Sequence, residues 1–279
     1  MILAEKIKNM KYKMIVSDFD GTFIKDDFTY SKELADTVAR YIEKGGKFMF
    51  ATGRMTCSIM PYCLELGLKG EVVTYQGAAI QDIQTGARIA TCTIDWQEAL
   101  RVAQWIEERS HYYQLYDFDK FIIKEVTPFT SIYRTYSCFD PQVLGYPLTQ
   151  YIIANKFNPI KMMIMTQPEQ VEGIIAELNK TFGDTLLFNT SLKWLVEMVN
   201  RKVNKGVAVE LVAQRHGIKR EEIICIGDAS NDAEMIEYAG LGVVVANGSD
   251  YVKRFADELA PSNNEQGVMH IIKKYGLGE

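Results

Sequence analysis

The sequence predicts an α/β protein, a Rossmann-like doubly wound parallel sheet interrupted by an inserted α+β domain. Three observations carry this. Short apolar runs alternate with helix-spaced apolar residues at both ends of the chain, the rhythm breaks in the middle, and two distant acidic clusters each follow directly on an apolar run. Carboxylates at strand ends are what an open α/β sheet presents at its ligand-binding edge.

Met14 to Val16, apolar and partly β-branched, predict the first strand. Ser31 can cap a helix whose residues Leu34, Val38, Tyr41 and Ile42 recur at helical spacing and which stops at Gly45 and Gly46. Lys47 to Ala51 predict a second strand, a helix near Pro61 ends at Gly67, and Val72 to Tyr75 predict a third strand. This alternation favours parallel strands with right-handed crossovers.

After Ile83 the pattern changes. Gln84-Thr85-Gly86 reads as a hairpin turn, and a helix from Asp95 carries Trp96, Leu100, Ala103 and Ile106 on its apolar side. Strands are expected at 112–118, 121–126, 160–165 and 186–189, with a helix opened by Pro168. The alternating pattern is then expected to return: strand Leu195 to Val199, helix Gly206 to His216, strand Ile223 to Ile226, a helix from Asn231, strand Leu241 to Ala246 and two closing helices. The expected division is a core of residues 1–83 and 191–279 around an α/β insert of residues 84–190.

The 279 residues, 47% of them hydrophobic, suffice for two cores. A net charge of −5 disfavours non-specific attraction to nucleic acid or an anionic membrane. No run is long enough for a membrane helix, and the amino-terminal stretch is charged throughout, so a cytoplasmic location is expected. Five cysteines, Cys57, Cys63, Cys92, Cys138 and Cys225, include no CxxC pair and are expected to be reduced.

The chemistry is expected in four short segments. In Ser17-Asp18-Phe19-Asp20-Gly21-Thr22 two carboxylates spaced i, i+2 converge if the strand continues, and crowded carboxylates call for a proton or a hard cation such as magnesium. For an isolated pair of this kind a solvated turn is the better reading. The second cluster, Gly227-Asp228-Ala229-Ser230-Asn231-Asp232, again at a strand end, decides for a site. Ala51-Thr52-Gly53-Arg54 offers a hydroxyl and backbone N–H groups suited to a phosphate, or an ordinary turn. Lys205 stands at the first turn of a helix where a cation opposes the dipole, a conflict an anionic partner would resolve; Lys202 is the rival lysine, and either one taken singly reads more readily as a solvated surface lysine.

Taken in order, DFDGT, ATGR, NKG and GDASND resemble the four motifs of the haloacid dehalogenase superfamily. The resemblance spans nearly the whole chain, and the insert resembles the class IIB cap of the Cof-type sugar and metabolite phosphatases. It implies a magnesium-dependent phosphomonoesterase acting on a small phosphorylated metabolite, with Asp18 as nucleophile and Asp20 as general acid and base. It further implies metal ligation by Asp18, the Asp20 carbonyl and Asp228 with Asp232 behind them, and phosphate binding by Phe19, Thr52, Gly53, Lys205 and Asn231. A monomer or small homo-oligomer is expected. Gln76-Gly77-Ala78 departs from the usual Asn-Gly-Ala, and Val245-Ala246-Asn247-Gly248 from Met-Gly-Asn-Ala; no role is assigned to Gln76 or Asn247. The alternatives are a phosphomutase of the phosphomannomutase kind and a non-catalytic phosphoacceptor or phosphosugar-binding protein.

Overall fold

The computed structural model describes residues 10–118, 120–133, 140–190 and 192–279. The chain first lays down β1 (Met14–Ser17), α1 (Lys32–Glu43), β2 (Lys47–Phe50), α2 (Thr56–Glu65), β3 (Glu71–Thr74), β4 (Ala79–Asp82) and β5 (Arg88–Thr91). There follow α3 (Trp96–Glu108), β6 (Tyr112–Asp117), β7 (Lys120–Ile123), α4 (Pro128–Tyr133), β8 (Gln142–Val143), α5 (Leu148–Asn155), β9 (Lys161–Met165), α6 (Pro168–Phe182), β10 (Leu186–Asn189) and β11 (Leu195–Asn200). The last stretch forms α7 (Lys205–Arg215), β12 (Ile223–Gly227), α8 (Ala233–Tyr238), β13 (Leu241–Val245), α9 (Asp250–Lys253), β14 (Glu258–Ala260) and α10 (Gly267–Ile271).

Two compact units result, one of Met1–Arg54, Ile59–Ala90 and Asn204–Glu279, the other of Met55–Ser58 and Thr91–Val203. The first is built on a five-stranded sheet of order β14-β13-β12-β1-β2, every neighbouring pair parallel. The strands inside the edge strand β14 are buried on both faces, so their side chains divide by parity. Ile15, Phe48, Phe50, Ile224 and Ile226 pack with α1, α2 and α10, whereas Met14, Val16, Met49, Ile223 and Cys225 pack with α7 and α8. Helices on both faces of a parallel sheet are the expected doubly wound architecture. Ser31 caps α1 by accepting from the Leu34 N–H, and the parallel bridge from Ala51 to Val73 brings β3 beside β2.

The second unit holds a six-stranded sheet of order β10-β11-β9-β6-β7-β8. Tyr113, Leu115, Met162, Ile164, Val196 and Met198 turn one face toward α3, α5 and α6. The other parity carries Gln114, Tyr116, Lys161 and Glu197, with Lys161 Nζ 2.7 Å from Glu197. Here one expectation is corrected. The run Leu195–Asn200 does not begin the returning parallel pattern but lies antiparallel between β9 and β10. Its apolar alternation is the same in either sheet, so periodicity predicts a strand without naming its neighbours.

Local differences have physical causes as well. Pro61 lies inside α2, and the segment from Asn231 opens with a tight turn at Ser230–Asp232 before α8 begins. The edge strand β14, only three residues long, falls below the length at which alternation is visible. Cys63 and Cys225 are buried free thiols and Cys92 is half-buried and free, but Cys57 is disulfide-bonded, contrary to the expectation of reduced cysteines. Cys138 lies outside the described residues. Among the described residues no helix is long and apolar enough to cross a membrane.

Candidate active site

Three of the four segments leave the carboxyl ends of neighbouring parallel strands: Asp18 follows β1, Thr52 follows β2 by two residues, and Asp228 follows β12. The fourth opens α7, where the Asn204 side chain accepts from the Val207 N–H at 2.6 Å and so fixes the first turn. That turn buries Lys205 completely. Lys202, its rival in sequence, is exposed.

Lys205 Nζ donates to Asp18 Oδ1 and to Asp232 Oδ1, each at 2.6 Å. Burial opposes its charge, yet the two carboxylates outweigh burial and hold the ammonium more firmly protonated than an ordinary lysine. Asp232 is fully engaged, because its Oδ2 also accepts from the N–H groups of Asp228 and Ala229 at 3.0 Å. It therefore holds the Asp228 loop in place as well as the lysine.

Asp18, Asp228 and Asp232 each direct a carboxylate oxygen into one cluster, these atoms lying within 4.8 Å of one another. Burial pushes the Asp18 carboxyl well above its usual range, and the charges of Asp232 and Asp228 add to that against the opposing pull of Lys205. Burial, with the Asp232 charge, pushes Asp228 up to about 6. Three carboxylates face one ammonium, so the cluster is short of positive charge. An all-oxygen donor set with such a deficit fits a hard divalent cation such as magnesium. Asp18 and Asp228 have oxygens to offer it. The loop backbone is drawn in tightly as well, since a Cβ on Gly21 would lie 2.6 Å from Asp228 Oδ2.

Asp20 does not join this cluster. The strand ends at Ser17, so the two-residue period that would point Asp18 and Asp20 the same way no longer holds. Asp20 is exposed, and both its oxygens accept from Arg54, Nε to Oδ2 at 2.8 Å and Nη2 to Oδ1 at 2.6 Å. The Arg54 guanidinium in turn lies over the Phe19 ring at 4.6 Å, and that ring is packed against Phe50 and Tyr62. The Phe19 side chain is thus a buried platform. Thr52, also buried, accepts from the Arg54 N–H through Oγ1 at 3.1 Å, which shapes the turn.

The remaining predicted residues, Gly53 and Asn231, meet through one that the sequence left without a role. Asn231 Nδ2 donates to Gln76 Oε1 at 2.6 Å, and the Gln76 amide lies directly against Gly53. Three more contributors went unassigned. Thr22 Oγ1 donates to Asp228 Oδ1 at 2.7 Å, Asn247 Nδ2 donates to the Gly21 carbonyl at 2.7 Å, and Arg54 clasps Asp20. Only Thr22 and Arg54 lay within the motif segments where a signal could have found them.

A site of this composition has counterparts. Residues 15–272 match the family model of the haloacid dehalogenase-like hydrolases. YxeH of Bacillus subtilis (strain 168), a protein named as a phosphatase, is 29% identical over 273 residues, which is 96% of this chain and 100% of that protein. The 5-amino-6-(5-phospho-D-ribitylamino)uracil phosphatase YitU of the same organism is 26% identical over 267 residues, covering 94% of this chain and 97% of its own. The crystal structure of a haloacid dehalogenase-like hydrolase from Bacteroides thetaiotaomicron shares the fold with a TM-score of 0.84 at 24% identity, over 95% of this chain and 99% of that one. The chain belongs to the haloacid dehalogenase-like hydrolases, as its four motif segments led us to expect.

Proposed function

We propose that this haloacid dehalogenase-like hydrolase is a magnesium-dependent phosphatase that cleaves a small phosphorylated metabolite, of the sugar or polyol phosphate class, through an aspartyl-phosphate. One observation carries the reading: a buried carboxylate, Asp18, fixed at 2.6 Å by an equally buried ammonium, beside an acidic cluster that calls for a cation. The substrate class is supported by YitU, whose name describes a phosphorylated ribityl compound.

An Asp18 carboxylate oxygen attacks phosphorus in line as the bond from phosphorus to the substrate oxygen breaks. Asp20 supplies the proton that the leaving oxygen needs, then takes one from water as the water oxygen attacks phosphorus and the bond to Asp18 breaks. Such acid and base assistance contributes about 10² to 10⁴ to each step. Lys205, Thr52, Asn231 and the N–H groups of Phe19 and Gly53 balance the phosphoryl oxygens, which is the principal task in phosphoryl transfer. Asp18, Asp228 and the Asp20 carbonyl would hold the magnesium, with Asp232 bracing them. When bound, the ion supplies the positive charge that lets two anions approach.

The test is a phosphate-release screen over sugar phosphates, nucleotides and pyridoxal phosphate, with and without magnesium. Release that requires magnesium and is lost in Asp18→Asn, with the fold retained, is expected. Turnover surviving in Asp18→Asn overturns the nucleophile, and turnover indifferent to chelator overturns the metal. Conversion of a hexose 1-phosphate to the 6-phosphate without free phosphate makes the protein a mutase.

A further inference from the structure

The turn after β3 is built in an unusual way. Tyr75 and Gln76 have φ of 53° and 62°, followed by Gly77 at 102°, so two residues with side chains occupy the left-handed region in succession. Such a conformation persists only where the surroundings impose it. Here they do: the Tyr75 N–H donates to the Arg54 carbonyl at 3.0 Å, the Gln76 N–H donates to the Thr52 carbonyl at 3.1 Å, and Gly77 packs so tightly on the Asn204 backbone that a Cβ would lie 2.4 Å from its oxygen. The turn is braced against the second and third motif segments at once. Its one long polar side chain reaches the fourth.

The Gln76 amide touches two predicted phosphate-binding residues. A Cβ on Gly53 would lie 2.3 Å from Gln76 Nε2, so only glycine lets the amide pass, and Gln76 Oε1 accepts from Asn231 Nδ2. Asn231 Oδ1 is left buried without a hydrogen-bond partner among the described residues. An unpartnered acceptor is the wrong polarity for a phosphoryl oxygen. Turning both amides over keeps the bond, with Nε2 donating to Oδ1, satisfies the orphan and presents Nδ2 as a donor. A glutamine permits both arrangements because its amide donates as well as accepts.

We infer that Gln76 is a positioning residue: it is the partner on which the Asn231 amide turns, so that Asn231 meets a bound phosphoryl group with its Nδ2 donor. This rests on the phosphatase reading proposed above, within which it assigns a role to a residue that departs from the family pattern.

The experiment is a double-mutant cycle between Gln76→Met and Asn231→Ala, read as kcat, KM and inhibition by inorganic phosphate with an aryl phosphate and magnesium. Loss of one such bond is expected to weaken phosphate inhibition and lower kcat/KM about three- to ten-fold in Gln76→Met. Added to Asn231→Ala, it is expected to cost nothing further. Gln76→Asn supplies the second arm. Asparagine tolerates the left-handed backbone better but is one methylene shorter, so this variant should melt at or above the wild-type temperature while losing phosphate affinity by the same factor. Effects that multiply in the double variant, or wild-type phosphate affinity in Gln76→Asn, overturn the inference and leave the phosphatase reading intact. A wild-type protein that neither hydrolyses phosphate esters nor binds phosphate overturns both.

Discussion

Arg54 closes on Asp20 with two hydrogen bonds, one to each carboxylate oxygen, while its guanidinium carbon lies 4.6 Å from the centre of the Phe19 ring. The residue between the two motif aspartates therefore supports the arginine that holds the second of them. The fork fixes where the Asp20 carboxylate points, and a carboxylate is the form that takes a proton from water. Asp20 must leave this clasp, or gain a proton within it, to act as the acid of the first step.

Removing the fork should for that reason harm the second step more than the first. In Arg54→Met we expect a burst of alcohol release equal to the enzyme concentration, followed by turnover about ten- to hundred-fold slower than wild type, the range for a lost charge-assisted hydrogen bond. Rapid-quench measurement of alcohol against phosphate checks this. Equal slowing of both products, with no burst, would refute the assignment.

Lys205 is the sole ammonium in contact with Asp18 and Asp232 among the described residues. Lys205→Met should destabilise the protein by about 3–5 kcal/mol, because two buried carboxylates lose their counter-charge. Adding Asp18→Asn removes one of those charges and should restore part of the loss, visible in urea denaturation without magnesium. Additive losses in the double variant would show that the lysine acts through packing alone.

Magnesium should raise the wild-type melting temperature, since binding to the folded state alone stabilises it by mass action. Asp228→Asn should abolish most of that rise and need at least about ten-fold more magnesium for half-maximal activity, the loss of one charged ligand being worth more than about 1.4 kcal/mol. A melting temperature indifferent to magnesium in the wild type, at concentrations that support turnover, would contradict a cation at the Asp18 and Asp228 carboxylates.

Much of this was legible in sequence because each motif segment is continuous and sits where a strand ends. Asp18 and Asp228 could be read as converging once the strands were taken as parallel, Lys205 joined them only through the family resemblance, and the buried ammonium with its two carboxylates answers the dipole conflict at Lys205. What could not be read is whatever depends on a turn. Asp20 was expected to lie alongside Asp18, but the strand stops at Ser17, before either aspartate, and the side chain goes to Arg54 instead. Gln76 and Asn247 reach the site across 155 and 226 positions of sequence, to Asn231 and to the Gly21 carbonyl, and no local pattern encodes such pairs. The strand Leu195–Asn200 was recognised but given the wrong neighbours for the same reason.

At the opposite ends of the strands lies a cluster whose test is independent of chemistry. Glu71, the buried first residue of β3, accepts from Lys47 Nζ at 2.6 Å, lies 2.9 Å from His216 Nε2, and has Arg215 Nε at 3.8 Å. Burial raises its affinity for a proton, but the bonds from Lys47 and His216 outweigh this and leave the carboxyl below its ordinary range. A carboxyl whose folded pKa lies below its unfolded value, about 4.3, contributes stability that is complete above that value and is lost as pH falls through the folded pKa. Glu71→Gln, which keeps the shape and loses the charge, should therefore melt below wild type at pH 6 to 7, by an amount corresponding to about 1–3 kcal/mol. The gap should narrow below about pH 5 and vanish once the wild-type carboxyl is protonated. Paired thermal melts of the two proteins across pH 3 to 7 measure the difference directly, so that other titrating groups cancel. A gap constant over that range would mean that Glu71 contributes through shape and neutral hydrogen bonding, and not through its charge against Lys47 and His216.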